Sequence, residues 1–282
     1  MQRIKTFLIL AILTGLFLAV GRYLGGQQGL YLAFGLALVM NFVSYWWSDK
    51  IVLSMYKAQP IERATAPELY DTVEALARGF QIPMPKVHII DLPAPNAFAT
   101  GRNPAHASIA VSRSLMEILD KNELRGVLAH ELAHVKNRDI LVSSVAAVIA
   151  GALSMLSDMF IWGGGLFGGR SDEGKGNPIG ALVLVILTPL IAMMLQMAIS
   201  RSREYLADET GGRASRDPQA LASALLKIHD YAERRPLRAD MKHNATAHLF
   251  IANPFDGGMV RSLFSTHPPV EQRVERLREM VV

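Results

Sequence analysis

Four runs of this 282-residue chain are long and apolar enough to cross a bilayer as helices, and no other feature constrains its fold as strongly. About 20 helical residues span the hydrocarbon core. The runs extend from about Thr6 to Leu24, Leu30 to Trp47, Ile140 to Trp162 and Ile179 to Ser200. The first two are the most uniformly apolar. The third and fourth carry Ser143, Ser144, Ser154, Asp158 and Gln196, with a kink expected at Pro189. Polar groups at such depth face protein or water rather than lipid. Tyr45, Trp46 and Trp47 close the second run as an aromatic belt at the headgroup level would. Two plainer readings stand beside this one. The first run follows Arg3 and Lys5 and has the look of a signal peptide, and the third and fourth have the length of a buried helical hairpin. A long first run with a second at once behind it favours a membrane hairpin.

Flanking charge sets the orientation. Arg3 and Lys5 precede the first run, Lys50 and Lys57 follow the second, Lys136 and Arg138 precede the third, and Arg201 and Arg203 follow the fourth. The loops on the other side hold only Arg22, Arg170 and Lys175, the last two offset by Asp172 and Glu173. The positive-inside rule then puts both termini and both polar blocks in the cytoplasm. Four segments follow: a two-span hairpin over 1–48, a polar block over 49–139, a second hairpin over 140–200 with a Gly-rich outside loop, and a polar helical block over 201–282.

Composition removes several function classes. The net charge of +4 is spread over the polar segments without a basic run, so nothing points to nucleic acid. There is no cysteine, which excludes disulfides, thiolate metal ligands and a cysteine nucleophile. No G-x-x-x-x-G-K-[ST] pattern occurs, so no nucleotide site of that kind is encoded.

Within the first polar block, Pro67 to Phe80 predicts a helix with Thr65 as N-cap. Lys86 to Asp91, Asn96 to Thr100 and Ser108 to Ser112 predict strands, which gives a small sheet in an otherwise helical protein. Asn122 is the expected N-cap of a further helix that runs on toward the third span. That helix carries His130-Glu131-Leu132-Ala133-His134. Positions i and i+4 lie on one helix face, so both imidazoles can reach one zinc ion, and Glu131 lies beside them as a general base toward water. This is the pattern of a metallopeptidase. A catalytic zinc needs a third protein ligand and an open position. Glu204, just beyond the fourth run on the same membrane side, is the best candidate. Asp208, at i+4 from Glu204, is placed to accept the free N–H of a ligating histidine. The other histidines, His88, His106, His229, His243 and His248, belong to no motif and read as surface or core residues.

These segments resemble the HtpX family of membrane zinc peptidases, kin to the CaaX prenyl proteases and the Oma-type peptidases. The matching residues are His130 to His134 with Val135-Lys136-Asn137-Arg138-Asp139 behind them, Glu204 to Asp208, Pro95 to Gly101, and Ser265-Thr266-His267-Pro268-Pro269 with Arg273 following. The resemblance implies a gluzincin-type fold with four spans and one Zn2+ per chain on His130, His134 and Glu204. It implies that Asn96, Ala97 and Phe98 lie on the strand along which substrate extends, bound by main-chain bonds with little sequence preference. It also implies that His267 stabilises the oxyanion. The expected activity is ATP-independent endopeptidase cleavage of misfolded membrane proteins at the cytoplasmic face of the bacterial inner membrane, as quality control under stress. Two other readings compete. An intramembrane protease would need its metal motif inside a span, against the polar run Lys136 to Asp139. A zinc-binding scaffold or transporter would have no need of Glu131.

Overall fold

The computed structural model describes residues 2–162, 201–237, 247–252 and 268–281. The fourth apolar run, the Gly-rich loop before it and His267 lie outside the described residues.

The first two runs form one helical hairpin, α1 (Gln2–Met55), broken at Gly25 and Gly26. Gly26 has φ 57° and ψ −135°, a conformation open to glycine and costly for residues with a Cβ. By length and composition both arms, Thr6–Tyr23 and Gly25–Met55, are candidate membrane spans. The second continues past Ser48 to Met55. A polar clasp joins the arms: Asn41 Nδ2 donates to Thr14 Oγ1 at 2.9 Å, whose hydroxyl donates to Leu10 O at 2.8 Å. Hydrogen bonds of this kind hold helices together where hydrocarbon offers no hydrophobic drive. Phe7, Tyr31, Leu32 and Val39 remain exposed on the outer faces, a surface suited to lipid.

The third run is α5 (Ile140–Trp162), packed along α1, with Val142, Val145, Ala146, Ala147 and Ile149 buried. It is a helix separate from the one before it. α4 (Lys121–Asn137) ends at Arg138, which takes left-handed φ 58° and ψ 35°, so the expected continuous helix is two helices with a break between them. The cap of α4 also differs from expectation. Asp120 is the N-cap: its carboxylate accepts from the Asn122 and Glu123 amides at 2.9 Å, while Glu123 Oε2 accepts from the Asp120 amide at 2.9 Å. A carboxylate placed one residue before the first turn outcompetes an Asn side chain placed inside it, because only the former can reach the unpaired amides.

The sheet has four strands in the order β1-β2-β4-β3: β1 (Gln59–Pro60), β2 (Lys86–Ile90), β3 (Ala97–Gly101) and β4 (Ala107–Ser112). β2 and β4 are parallel, and the outer pairs are antiparallel. The short β1 and the helix α3 (Arg113–Ile118) carry too little pattern to be read in advance. α2 (Pro67–Phe80) has the expected bounds, but its N-cap is Ala66 and no side chain caps it. β3 is an edge strand, and two of its outward amides, toward its C-terminal end, are taken up by neighbouring helices. Ala99 N–H donates to Glu131 Oε2 at 3.0 Å, and Gly101 N–H donates to Ser144 Oγ at 3.2 Å. The turn after β3 is tied to the end of α1, where the Arg102 guanidinium stacks 4.5 Å from the Trp46 ring centroid.

α4 is the central helix. Leu128, Leu132 and Ala133 are fully buried among residues from α2, β3, α6 (Arg201–Ser215), α7 (Pro218–Arg234) and α8 (Val270–Arg278). Each buried leucine contributes about 1.5–3 kcal/mol. α4 and α6 approach so closely that a Cβ at Gly211 would lie 2.8 Å from His130 N and 2.9 Å from its Cα. Backbone cannot yield as a flexible side-chain end does. Gly211→Ala is therefore expected to force the helices apart and destabilise the protein by about 1–3 kcal/mol. Thermal unfolding measures this; an unchanged midpoint would show that the close approach has no energetic weight.

Candidate metal centre

The fold brings three donors from two helices to one point. His130 and His134, one turn apart on α4, hold their Nε2 atoms 3.2 Å from each other. Glu204, in the first turn of α6, sets Oε2 3.6 Å from His130 Nε2 and Oε1 3.6 Å from His134 Nε2. All three donor atoms lie within 4.8 Å of one another.

The outer nitrogens decide what the inner ones can do. His130 Nδ1 lies 2.9 Å from Asp208 Oδ1, and His134 Nδ1 lies 3.1 Å from Asp139 Oδ2. Carboxylates only accept, so both Nδ1 atoms carry hydrogen, and in the neutral rings both Nε2 lone pairs turn inward. Two inward lone pairs and a carboxylate need something positive between them. The N, N, O set suits a borderline divalent ion such as zinc.

Charge points the same way. Among the described residues, Glu131, Asp139, Glu204 and Asp208 are buried carboxylates at this point, faced by the buried guanidiniums of Arg203 and Arg273. With all of them ionised, the cluster lacks two positive charges, which one divalent cation supplies. Without metal, protons fill the role. Burial alone would lower the pKa of His134, but Asp139 and Glu204 outweigh it and lift the value to about 10. Burial opposes the rise at His130 as well, and Asp208 and Glu204 overcome it.

Arg273 fixes the outer support. It reaches in from α8 and donates to Asp208 through Nε at 2.8 Å and through a terminal nitrogen at 2.6 Å. Burial would raise the Asp208 carboxyl, but this two-point pair and His130 bring it down to about 2. Asp139 arrives by a different route. Because the chain leaves the α4 helix at a left-handed Arg138, Asp139, five residues on, comes to the ring of His134.

Glu131 stands beside the donors. Burial raises its pKa, and one of its oxygens is fixed by the Ala99 amide of β3. A cleft opens along this group. His130, Glu131, His134, Asp139, Arg203 and Glu204 line one half, and Phe98, Ala99, Ile140, Leu249, Phe250 and Ile251 line the other, with Ser143 and His248 between.

The structure thus brings His130, Glu131, His134, Glu204 and Asp208 together. Phe98 lines the cleft, and Ala97 is buried one residue before it on β3. Asn96 is fully buried, with its side-chain amide bonded to Leu249 O and Ile251 N at 3.1 Å each. His267 lies outside the described residues. Sequence reasoning gave no role to Asp139, Arg203, Arg273 or His248. Asp139 stood in a matched segment, but its approach to His134 depends on a left-handed Arg138. Arg273 stood in a matched segment, but only packing reveals its partner.

With this geometry in view, comparison with known proteins is direct. Residues 63–281 match the model for "Peptidase family M48". The chain belongs to that family. It is 52% identical over 278 residues to a "Protease HtpX homolog" of Methylibium petroleiphilum, covering 98% of this chain and 97% of the relative. It is 53% identical over 282 residues to one of Persephonella marina, covering 99% and 98%. A third, from Thermococcus sibiricus, is 51% identical over 281 residues, covering 98% and 95%. Among solved structures, S. mikatae Ste24p has a similar fold, with a TM-score of 0.51 and 22% identity, covering 98% of this chain and 65% of that one. The M48 chain described here is a membrane-associated metalloprotease, and peptides are its substrates.

The raised histidines make the metal-free protein sensitive to pH. A free histidine releases its proton near about pH 6.5. Stability from a folded-state value near 10 is full below about pH 6.5 and is lost as the pH rises toward 10. Chelated protein is expected to lose thermal stability across that window, while metal-loaded protein, its imidazoles already deprotonated, is not. Melting curves taken with and without metal test this, and identical pH profiles would contradict it.

Proposed function

We propose that the chain is a zinc endopeptidase in which His130, His134 and Glu204 hold the ion, Glu131 is the general base and Asp208 orients His130. The observation that carries this reading is the convergence of two Nε2 atoms and the Glu204 carboxylate beside a buried carboxylate that lies in register with a sheet edge. A bound zinc ion would supply Lewis acidity toward a peptide carbonyl and toward water.

The residues of the chain do the rest. Glu131 keeps one oxygen on the Ala99 amide and uses the other to take a proton from attacking water and pass it to the departing amine. Its pKa, raised by burial, brings it closer to the working pH than an exposed glutamate would be. Asp208 and Asp139 hold the imidazoles with their Nε2 lone pairs turned toward the ion. A peptide that adds to the outer edge of β3, along Asn96, Ala97 and Phe98, would be held through its main chain. His267, three residues before α8, is assigned to the developing oxyanion on the family resemblance.

The membrane setting follows the same reading. Four spans are proposed, with the third run as α5 and the fourth at 179–200, and the four segments divide at 48, 139 and 200. The excess of Lys and Arg beside the polar blocks supports a cytoplasmic site and cytoplasmic termini in the bacterial inner membrane. Lys136, Arg138 and Asp139 directly after the motif support chemistry at the interface rather than at mid-bilayer. With no nucleotide motif in the chain, substrates would arrive already unfolded, which suits ATP-independent removal of damaged membrane proteins under stress.

Glu131→Gln should retain about one zinc per chain and lose cleavage of an unfolded protein such as casein by about 100-fold or more. Glu204→Ala should lose metal together with activity. Metal analysis and a proteolysis assay on the detergent-purified proteins decide the matter: cleavage retained by Glu131→Gln removes the base, and full metal in Glu204→Ala removes the third ligand.

A further inference from the structure

The turn between β3 and β4 lies apart from the lining of the cleft, yet its side chains are ordered around one another. It contains a single 3-10 turn, Pro104–His106, capped by Asn103. Asn103 Oδ1 accepts from the His106 amide at 3.1 Å and lies 2.9 Å from His106 Nδ1. His106 Nε2 lies 2.8 Å from a terminal nitrogen of Arg102. A guanidinium only donates, so Nε2 is the acceptor and Nδ1 carries the hydrogen that goes to Asn103. The imidazole thus ties the cap of the turn to the guanidinium. The guanidinium also stacks on Trp46 of α1, 4.5 Å from the ring centroid. Stacking uses its flat face and leaves N–H groups at its edge to donate elsewhere. Among the described residues no carboxylate pairs with Arg102, which is half-buried.

The surface around Trp46 changes character along α1. Lys50, one turn further toward the polar block, is exposed on the same helix face. Asp49, the nearest acid in sequence, acts on His88 of β2. In the other direction, Leu38, Val39 and Phe42 are each more than half exposed. Phe42 packs 6.1 Å from Trp46 and Tyr45 packs 5.6 Å from it, ring centroid to ring centroid. One face of the helix therefore runs from an apolar bed, through an aromatic girdle, to two cations. A soluble anion would use only the upper part of that face. A molecule with a phosphate at one end and acyl chains at the other would use all of it.

We propose that Arg102, Lys50 and Trp46 form a binding site for an anionic lipid. The phosphate is held by the Arg102 guanidinium and the Lys50 ammonium, and the acyl chains lie along Phe42, Val39 and Leu38. The inference rests on the reading of α1 as a membrane hairpin. His106 and Asn103 serve the site by holding the guanidinium edge-on to the phosphate, and the indole shields its face from water, which strengthens its donor bonds. A bound lipid would hold the turn against α1 directly after β3, whose Gly101 amide is already fixed to Ser144 of α5.

Full-length protein, purified in detergent and stripped of lipid, is titrated with phosphatidylglycerol or with phosphatidylcholine of the same acyl chains, and native mass spectrometry counts the lipid retained. The parent is expected to hold phosphatidylglycerol about tenfold more tightly. Arg102→Gln should lose that margin while keeping the metal content of the parent. Trp46→Leu keeps α1 apolar but removes the stacking face, and should lose a large part of the margin. Arg213→Gln removes the same charge from an exposed pair with Glu209 on α6 and should leave the margin intact. Equal affinity of the parent for both lipids overturns the inference, as does a margin unchanged in Arg102→Gln or lost equally in Arg213→Gln. Displacement of the lipid by inorganic phosphate at the same concentration also overturns it, since the ligand would then be a soluble anion. If Arg102→Gln fails to fold, Trp46→Leu carries the test. Protein that stays dispersed in buffer once detergent is removed would fail the membrane reading of α1 itself, and the lipid site with it.

Discussion

Two histidines set side by side, His130 buried and His134 partly so, each giving its outer proton to a carboxylate, are the constraint on which the structure turns. Asp208 serves His130 and Asp139 serves His134. Their inner nitrogens are thereby committed to a cation, and the carboxylates gathered there exceed the guanidiniums by two. Burying uncompensated charge costs several kcal/mol per ion, so the cluster holds together only when something positive sits at its centre. Much of the fold serves this arrangement. α4 is buried because its histidines must be, α6 presses against it at Gly211 to bring Glu204 and Asp208 to the rings, and α8 sends Arg273 back from the C-terminal end to hold Asp208. Removing any one of these elements leaves a buried charge without its partner.

The same site is tied to the apolar helices α1 and α5 by specific contacts. Ser144, in the third apolar run, donates to Ile140 O at 2.7 Å, lies 2.8 Å from the Thr100 hydroxyl and accepts from the Gly101 amide at 3.2 Å. The polar residue that looked out of place in that run is a clamp on the edge strand. Tyr56, just past the end of α1, packs against Phe98 of that strand and Phe250 of the cleft wall. Trp46 carries Arg102 of the following turn. The strand that meets Glu131 is thus held by contacts from both of these apolar helices.

Much of this was legible from local pattern. The i, i+4 histidines pointed to a metal helix, and the i, i+4 spacing of Glu204 and Asp208 put two carboxylates on one face, where both meet His130. The third run gave the start of α5 at Ile140, because long apolar helices announce themselves by composition. What stayed hidden depended on tertiary geometry. Nothing local says that Arg138 will turn left-handed and return Asp139 to His134, or that Arg273 will cross to Asp208, 65 residues away. The cap of α4 was misplaced by two residues because Asp120 and Asn122 are both good caps, and the choice falls to the one that reaches Glu123 as well. Asn96 was expected along a substrate strand, and nothing local says that its side chain will also bond Leu249 O and Ile251 N.

X-ray absorption at the zinc edge, on freshly purified protein in detergent, tests the central claim most directly. The account predicts one zinc per chain, bound by two imidazole nitrogens near about 2.0–2.1 Å and by oxygen at about 2.0–2.2 Å. An all-oxygen shell or one without imidazole scattering, or protein that folds and cleaves with the site free of metal, would contradict it.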